Sequence, residues 1–254
     1  MPPRIPVGRR VFAPAWGWTI LTLLLLVAFI GLGRWQWSRA EFKQALLEEF
    51  AAGTAAVQTL GSVGTDQLAR YARVEVSGHW DTERSFLLDN RTRDGRAGYE
   101  VLTPLQLADG RVLLVNRGWI PFDGYRDRLP QVGAELTAAV AVSLRGRLDE
   151  LPVAGLAGGR AAPALSGPWP RVTSFPTTAE LLAALAAARE GSAVRLEPRI
   201  LLLDASEPGG FRRDWRPFAK GPEQNWSYAI QWWSFAVLLL VLYVVLNLKK
   251  RNDG

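Results

Sequence analysis

The sequence predicts an α+β membrane protein: two transmembrane helices flanking an extracytoplasmic antiparallel β-rich barrel or sandwich domain with one or two covering helices. Three observations predict it. Residues 11–33 and 226–248 carry no charge, and each run exceeds the roughly 20 apolar residues that a bilayer core requires. Basic residues flank both runs on their chain-terminal sides: Arg4, Arg9 and Arg10 before the first, Lys249, Lys250 and Arg251 after the second. Between the runs lie short alternating segments with turn punctuation, the pattern of a small barrel or sandwich. The expected organisation is therefore a cytoplasmic tail (1–10), a first span (11–33), an extracytoplasmic domain (34–225), a second span (226–248) and a second cytoplasmic tail (249–254). Basic flanks stay in the cytoplasm, which places both termini inside and the domain on the periplasmic or other extracytoplasmic side.

The second span carries the more unusual chemistry. Trp226, Tyr228, Trp232 and Trp233 crowd its outer end, as aromatic rings do at a membrane–water boundary. Tyr228, Gln231 and Phe235 share a helical face, and an amide at that depth needs a partner: another helix, a ligand or the domain above. On the first span Trp35 and Trp37 form the outer belt, and Trp16 and Trp18 the inner one. Arg9-Arg10-Val11-Phe12 has a faint twin-arginine look, but the apolar run exceeds a usual signal core, so an uncleaved anchor is expected.

The formal charge of +6 and the pI near 10 suggest nucleic acid until topology is considered. Six of the 30 basic residues lie in the two tails against one acidic residue, Asp253, leaving 24 basic and 23 acidic residues elsewhere. The excess is an orientation signal, and no basic stripe interleaved with aromatics marks a nucleic-acid surface. With no cysteine, disulfides, thiolate metal sites and covalent haem attachment through cysteine are excluded. The only histidine, His79, cannot build a multi-imidazole zinc site, and no nucleophile elbow accompanies it. No acid–base pair stands out, so neither catalytic nor metal-ligating residues are assigned.

In chain order, residues 38–50 continue the first helix out of the membrane, with Arg34, Arg39 and Lys43 read as head-group anchors. Strands are expected at 71–76, 85–89 and 99–107, the last tolerating Pro104 only at an edge or bend. Residues 90–98 read as a turn-rich connection, and Asp109-Gly110 as a hairpin leading into a strand at 111–120. Residues 139–148 alternate again. Residues 152–170 read as an irregular insertion, and 177–190 as a helix capped by Thr177 or Thr178 and ended by Gly191. A last strand spans 194–203, with Pro198 suggesting an edge. No internal repeat is evident.

Four places combine into one resemblance: residues 32–39 (Leu-Gly-Arg-Trp-Gln-Trp-Ser-Arg) with Lys43; Asn90-Arg91 followed by residues 98–105 (Gly-Tyr-Glu-Val-Leu-Thr-Pro-Leu); residues 115–121 (Val-Asn-Arg-Gly-Trp-Ile-Pro); and residues 228–232 (Tyr-Ala-Ile-Gln-Trp). Their order and position relative to two spans resemble the surfeit-locus family of cytochrome c oxidase assembly factors, over nearly the whole chain. The resemblance implies a non-enzymatic factor that helps mature oxidase subunit I, receiving haem a from its synthase and passing it on. It also implies a haem-contacting histidine three residues before Tyr228, where this chain has Asn225, and an asparagine amide is not a usual iron ligand. The candidate haem or partner contacts are therefore Asn225, Tyr228, Gln231, Trp232 and Arg117. Arg117 is read either as a barrel-rim residue paired to a carboxylate or as a fork for a haem propionate. Gln231 either joins the spans or meets a ligand, and His79 is read as a surface or packed histidine. The alternatives in function are a membrane scaffold that stabilises an oxidase subunit without holding haem, and an envelope hydrolase.

Overall fold

The computed structural model describes residues 5–53, 56–61, 63–126, 128–154, 159–189, 193–217 and 220–250. Gly191, and Arg4 and Arg251 of the tails, lie outside the described residues. In chain order the elements are β1 (Ile5–Val7), β2 (Arg10–Phe12), α1 (Trp16–Ala52), β3 (Val57–Thr59), β4 (Arg73–Trp80), β5 (Phe86–Arg93), β6 (Arg96–Leu107) and β7 (Arg111–Pro121). There follow β8 (Val142–Asp149), β9 (Arg171–Thr173), α2 (Thr178–Ala188), β10 (Arg195–Leu196), β11 (Ile200–Leu203), α3 (Pro222–Asn247) and β12 (Leu248–Lys250). The chain forms two compact units, Met1–Glu48 with Pro217–Gly254, and Glu49–Arg216.

In the first unit α1 and α3 are long and apolar enough to cross a membrane, with mean hydropathies of 2.0 and 2.2. The first span starts later than expected. Val11 and Phe12 sit in a strand, and the helix begins only at Trp16, after Ala13-Pro14-Ala15. Pro14 lacks the N–H and clashes with a preceding helical turn, so it belongs just ahead of a helix rather than inside one. From Trp16 to Trp35 a helix rises about 29 Å, which matches the roughly 30 Å hydrocarbon thickness between two aromatic belts. The helix then runs on to Ala52, as the periodicity of residues 38–50 predicts. The tails, unassigned from sequence, form a three-stranded antiparallel sheet with β2 between β1 and β12.

The second unit is a closed barrel. β4 pairs β6, β6 pairs β7, β7 pairs β11, β11 pairs β8, and β8 pairs β4 again. The five pairings that close it are antiparallel except for the β7–β11 seam, and the added β3–β4, β5–β9 and β10–β7 pairings are parallel, so the domain expected to be antiparallel is mixed. β5 and β9 extend the sheet beyond β6, and β3 adds beside β4. Period-2 alternation fills the interior: Val74, Val76 and Trp80 from β4, Leu105 and Leu107 from β6, Leu113 and Val115 from β7, Leu144 and Leu148 from β8, Leu201 and Leu203 from β11. Gly78 and Gly146 occupy inward positions where strands approach too closely for a side chain; a Cβ would lie 2.5 Å from the Gln106 carbonyl and 2.3 Å from that of Leu202.

The outward residues Val112, Leu114, Ile200 and Leu202 pack with Phe86, Leu88 and Leu102 beneath Leu181, Ala184 and Leu185 of α2. That helix starts where expected because Thr177 and Glu180 form a capping box: Glu180 N–H donates to Thr177 Oγ1 at 3.3 Å, and Thr177 N–H to Glu180 Oε2 at 2.8 Å.

Both prolines in strands are explained by pairing. Pro104 lies where β6 exchanges its neighbour β5 for β4; its carbonyl accepts from Asp81 N–H, and a missing N–H on that side breaks no ladder. Pro198 splits the last strand into β10 and β11, and β11 then lies between β7 and β8 rather than at an edge. Residues 90–98, expected as a connection, continue β5 through a bulge at Asn90 (φ 60°) and turn only at Asp94-Gly95.

Candidate functional site

Small residues let the two membrane helices meet. Gly33 and Ala40 of α1 and Ala229 and Ala236 of α3 are buried at seven-residue spacing on each helix, the seam of a left-handed pair. Gly33 lies directly under the Trp233 indole, since a Cβ there would sit 2.2 Å from Nε1. At the far end Thr19 Oγ1 and Tyr243 OH are 2.7 Å apart, and Phe12 meets the Tyr243 ring edge-on.

Asn225 stands at the opposite end of this seam. Its Oδ1 accepts from Lys43 Nζ at 2.7 Å, and its Nδ2 donates to Gln36 Oε1 at 2.6 Å. Lys43 also donates to the Lys220 carbonyl at 3.0 Å. Gln36 and Lys43 are two turns apart on one face of α1, so a single amide on α3 reaches both. Lys43, expected to be a head-group anchor, is instead part of this polar knot. Trp37 and Trp226, next in sequence to Gln36 and Asn225, pack with Trp233 into an aromatic group beside it, with ring centroids 6.5 Å apart for Trp37–Trp226 and 5.6 Å for Trp37–Trp233. Trp226 Nε1 is buried and has no hydrogen-bond acceptor among the described residues. Gln36 stands inside the first motif, and the amides near the outer ends of both apolar runs are the sequence signal for this pairing.

The other candidates on α3 separate from Asn225. Tyr228 and Gln231 are exposed on the helix surface, and neither makes a hydrogen bond among the described residues. Gln231 therefore does not join the spans; Asn225 does. Trp232 stacks on Phe29 at 5.7 Å and meets Phe235 edge-on.

Arg117 lies in the other unit, and of its two expected roles the geometry matches the barrel residue paired to a carboxylate, here Glu135, rather than a surface fork. Its side chain is fully buried. Nε donates to the Gly209 carbonyl at 2.6 Å, Nη1 to Thr103 Oγ1 and the Val132 carbonyl, and Nη2 to Glu135. The Phe211 and Trp80 rings flank it. Burial pushes its pKa down from the usual arginine range, and the Glu135 carboxylate opposes that shift. With its donors committed inside the domain, Arg117 fastens two loops to the barrel.

The remaining motif residues converge near Glu100. Asn116 Nδ2 donates to Glu100 Oε2 at 2.9 Å, and Arg91 and Arg93 approach the same carboxylate at 3.8 and 3.9 Å. Trp119 Nε1 donates to the Arg91 carbonyl at 2.9 Å, with Gly98 beneath its ring. His79 is exposed on β4.

Comparison with known proteins agrees with the resemblance. Residues 23–237 match the model of the SURF1 family. A SURF1-like protein of Dictyostelium discoideum is 31% identical over 114 residues, covering 41% of this chain and 42% of the relative. One from Monosiga brevicollis is 26% identical over 248 residues, covering 92% and 88%. One from Rickettsia felis, a bacterium, is 30% identical over 103 residues, covering 39% and 45%. The chain thus aligns with less than half the length of the Dictyostelium and Rickettsia relatives and with most of the Monosiga one. The matched region takes in nearly all of α1, the whole barrel and the part of α3 that holds Asn225, so this chain belongs to the SURF1 family, the surfeit-locus family that its four motifs resemble.

Proposed function

We propose that this protein is a non-enzymatic assembly factor for cytochrome c oxidase that assists delivery or insertion of haem a into subunit I. Both termini lie in the cytoplasm and the barrel lies in the periplasm or its equivalent. The observation that carries the reading is the polar knot itself: Asn225, at the position where the resemblance implies a haem-contacting histidine, is set among Gln36, Lys43 and three indoles at one end of the membrane seam.

The residues present do not fit axial ligation of haem iron. The Asn225 amide is already bonded on both sides, and an amide is a poor iron ligand. They do fit the rest of the group. The Trp37, Trp226 and Trp233 rings offer apolar surface, and the buried Trp226 indole N–H, which lacks an acceptor, suits a carboxylate oxygen. Haem a, when bound, would supply only its own redox chemistry; this chain's part is to hold and release it. Transfer favours such weak, unligated holding, since a cargo must leave for its final site. Haem a synthase is the supplier and oxidase subunit I the recipient in this reading.

A second reading is a scaffold that stabilises an oxidase subunit without haem, favoured by the direct Gln36–Asn225 bond between the helices. Absorbance of the protein purified from cells rich in haem a separates the two. The first reading expects retained haem a that Asn225→His strengthens, with a spectrum shifted toward imidazole ligation. Absence of haem from both proteins selects the scaffold.

A further inference from the structure

The two tails form one sheet, and its register places like charges face to face. β1 and β2 are a hairpin whose two-residue turn is Gly8-Arg9, with Gly8 at φ 57°, the glycine-first pattern of tight hairpins. β12 adds to the other side of β2, pairing Leu248 with Phe12, Lys249 with Val11 and Lys250 with Arg10. Arg10 and Lys250 are therefore direct cross-strand partners, with side chains on the same face about 5 Å apart at their Cβ atoms. Like charges in that relation destabilise a sheet. Arg9 and Lys249 add two more cations, and none of the four has a carboxylate partner among the described residues. All four are exposed.

The position of this sheet narrows what can neutralise it. The row Ile5–Phe12–Leu248 adjoins the membrane helices: Leu248 follows α3 directly, Ala13 N–H donates to the Asn247 carbonyl, and Phe12 packs on Tyr243 of α3. The Arg10–Lys250 row lies two residues further on, so at most about 7 Å beyond. The head-group layer is about 5–8 Å deep on each side of the hydrocarbon. Ile5 and Val7, both more than half exposed on this sheet, give it an apolar fringe suited to the acyl boundary.

We propose that the tail sheet binds the phosphate of an anionic phospholipid between Arg10 and Lys250, while Lys249, paired with Val11, faces the other side of the sheet and Arg9 sits in the hairpin turn. The lipid would lock the tails together and so tie the lower ends of the two helices. This inference rests on α1 and α3 crossing a bilayer, and it is independent of what the protein assembles.

The test uses the full chain reconstituted in vesicles of equal parts phosphatidylglycerol and phosphatidylcholine, then gently extracted, with the retained lipids quantified by native mass spectrometry. Phosphatidylglycerol should be enriched roughly fivefold or more over the vesicle ratio, given what a basic residue gains at an anionic surface. Arg10→Gln with Lys250→Gln should return the retained lipids to the vesicle ratio. Arg9→Gln with Lys249→Gln removes the same charge from outside the pair and should lower enrichment less than twofold. Equal effects of the two double variants would overturn the bridge between Arg10 and Lys250. No enrichment with the unaltered protein would overturn the site altogether. Failure of the chain to enter vesicles would strike instead at the two-span reading.

Discussion

Asn225 Nδ2 donates to Gln36 Oε1 at 2.6 Å, so a single amide–amide bond ties the two membrane helices at one end of their seam. The helices otherwise meet through small residues and rings, which give contact but little choice of register. Gln36→Leu should leave Asn225 Nδ2 without its acceptor and lower the stability of the helix pair by about 1 kcal/mol. Denaturant titration of the purified protein in detergent would read this, and an unchanged midpoint would mean that the bond contributes nothing to pairing.

Gln231 makes no hydrogen bond among the described residues and is exposed on α3, an uncommon place for an amide within a membrane helix. If that face meets the partner, Gln231→Leu should insert normally yet reduce oxidase activity in membranes. Full activity with normal protein levels would remove Gln231 from the partner surface.

Arg117 is held by four acceptors inside the barrel unit. Arg117→Met should lower stability by about 3–5 kcal/mol, because it strips the partner from buried oxygens and leaves them unbonded. Glu135→Gln should cost much less, since that carboxylate is 40% exposed and keeps water as an alternative. Thermal unfolding of both variants checks the order, and a reversed order would mean that the ion pair rather than the fork carries the stability.

Tyr71 gives a pH dependence with a defined sign. Its hydroxyl is buried without a hydrogen-bond partner among the described residues, and burial, aided by Asp149, pushes its pKa from 10.0 to about 12. Below pH 10 both folded and unfolded chains hold the proton, so stability does not vary with pH through this group there. Between pH 10 and 12 the unfolded chain releases it while the folded chain retains it, so stability falls as pH rises. Tyr71→Phe should be at least as stable at neutral pH, because an unsatisfied hydroxyl is lost, and should weaken less between pH 10 and 12. A steeper alkaline loss in Tyr71→Phe than in the parent would contradict this assignment.

Features set by local periodicity were legible in the sequence. The charge-free runs, the helix continuing past residue 38 and a helix cap at Thr177 or Thr178 each depend on neighbours within a few residues, and the structure contains them, with Thr177 as the cap. Strand ends were legible less well, because Asn90 hides a bulge that carries β5 through a stretch rich in turn residues. Long-range pairing was not legible. The parallel β7–β11 seam joins residues more than 80 positions apart, and the tail sheet joins opposite ends of the chain. The burial of Arg117 depends on Val132, Glu135 and Gly209, in loops without recognisable patterns. Asn225 was singled out as a haem or partner contact, but its bonds to Gln36 and Lys43 required the two helices to be placed side by side.

The central claim is that this protein serves the assembly of cytochrome c oxidase, and the most direct measurement is oxidase activity in membranes of cells lacking the chain. Activity and subunit-bound haem a should both fall, and the intact protein should restore them. Full oxidase activity with a normal haem a content in those membranes would contradict the account.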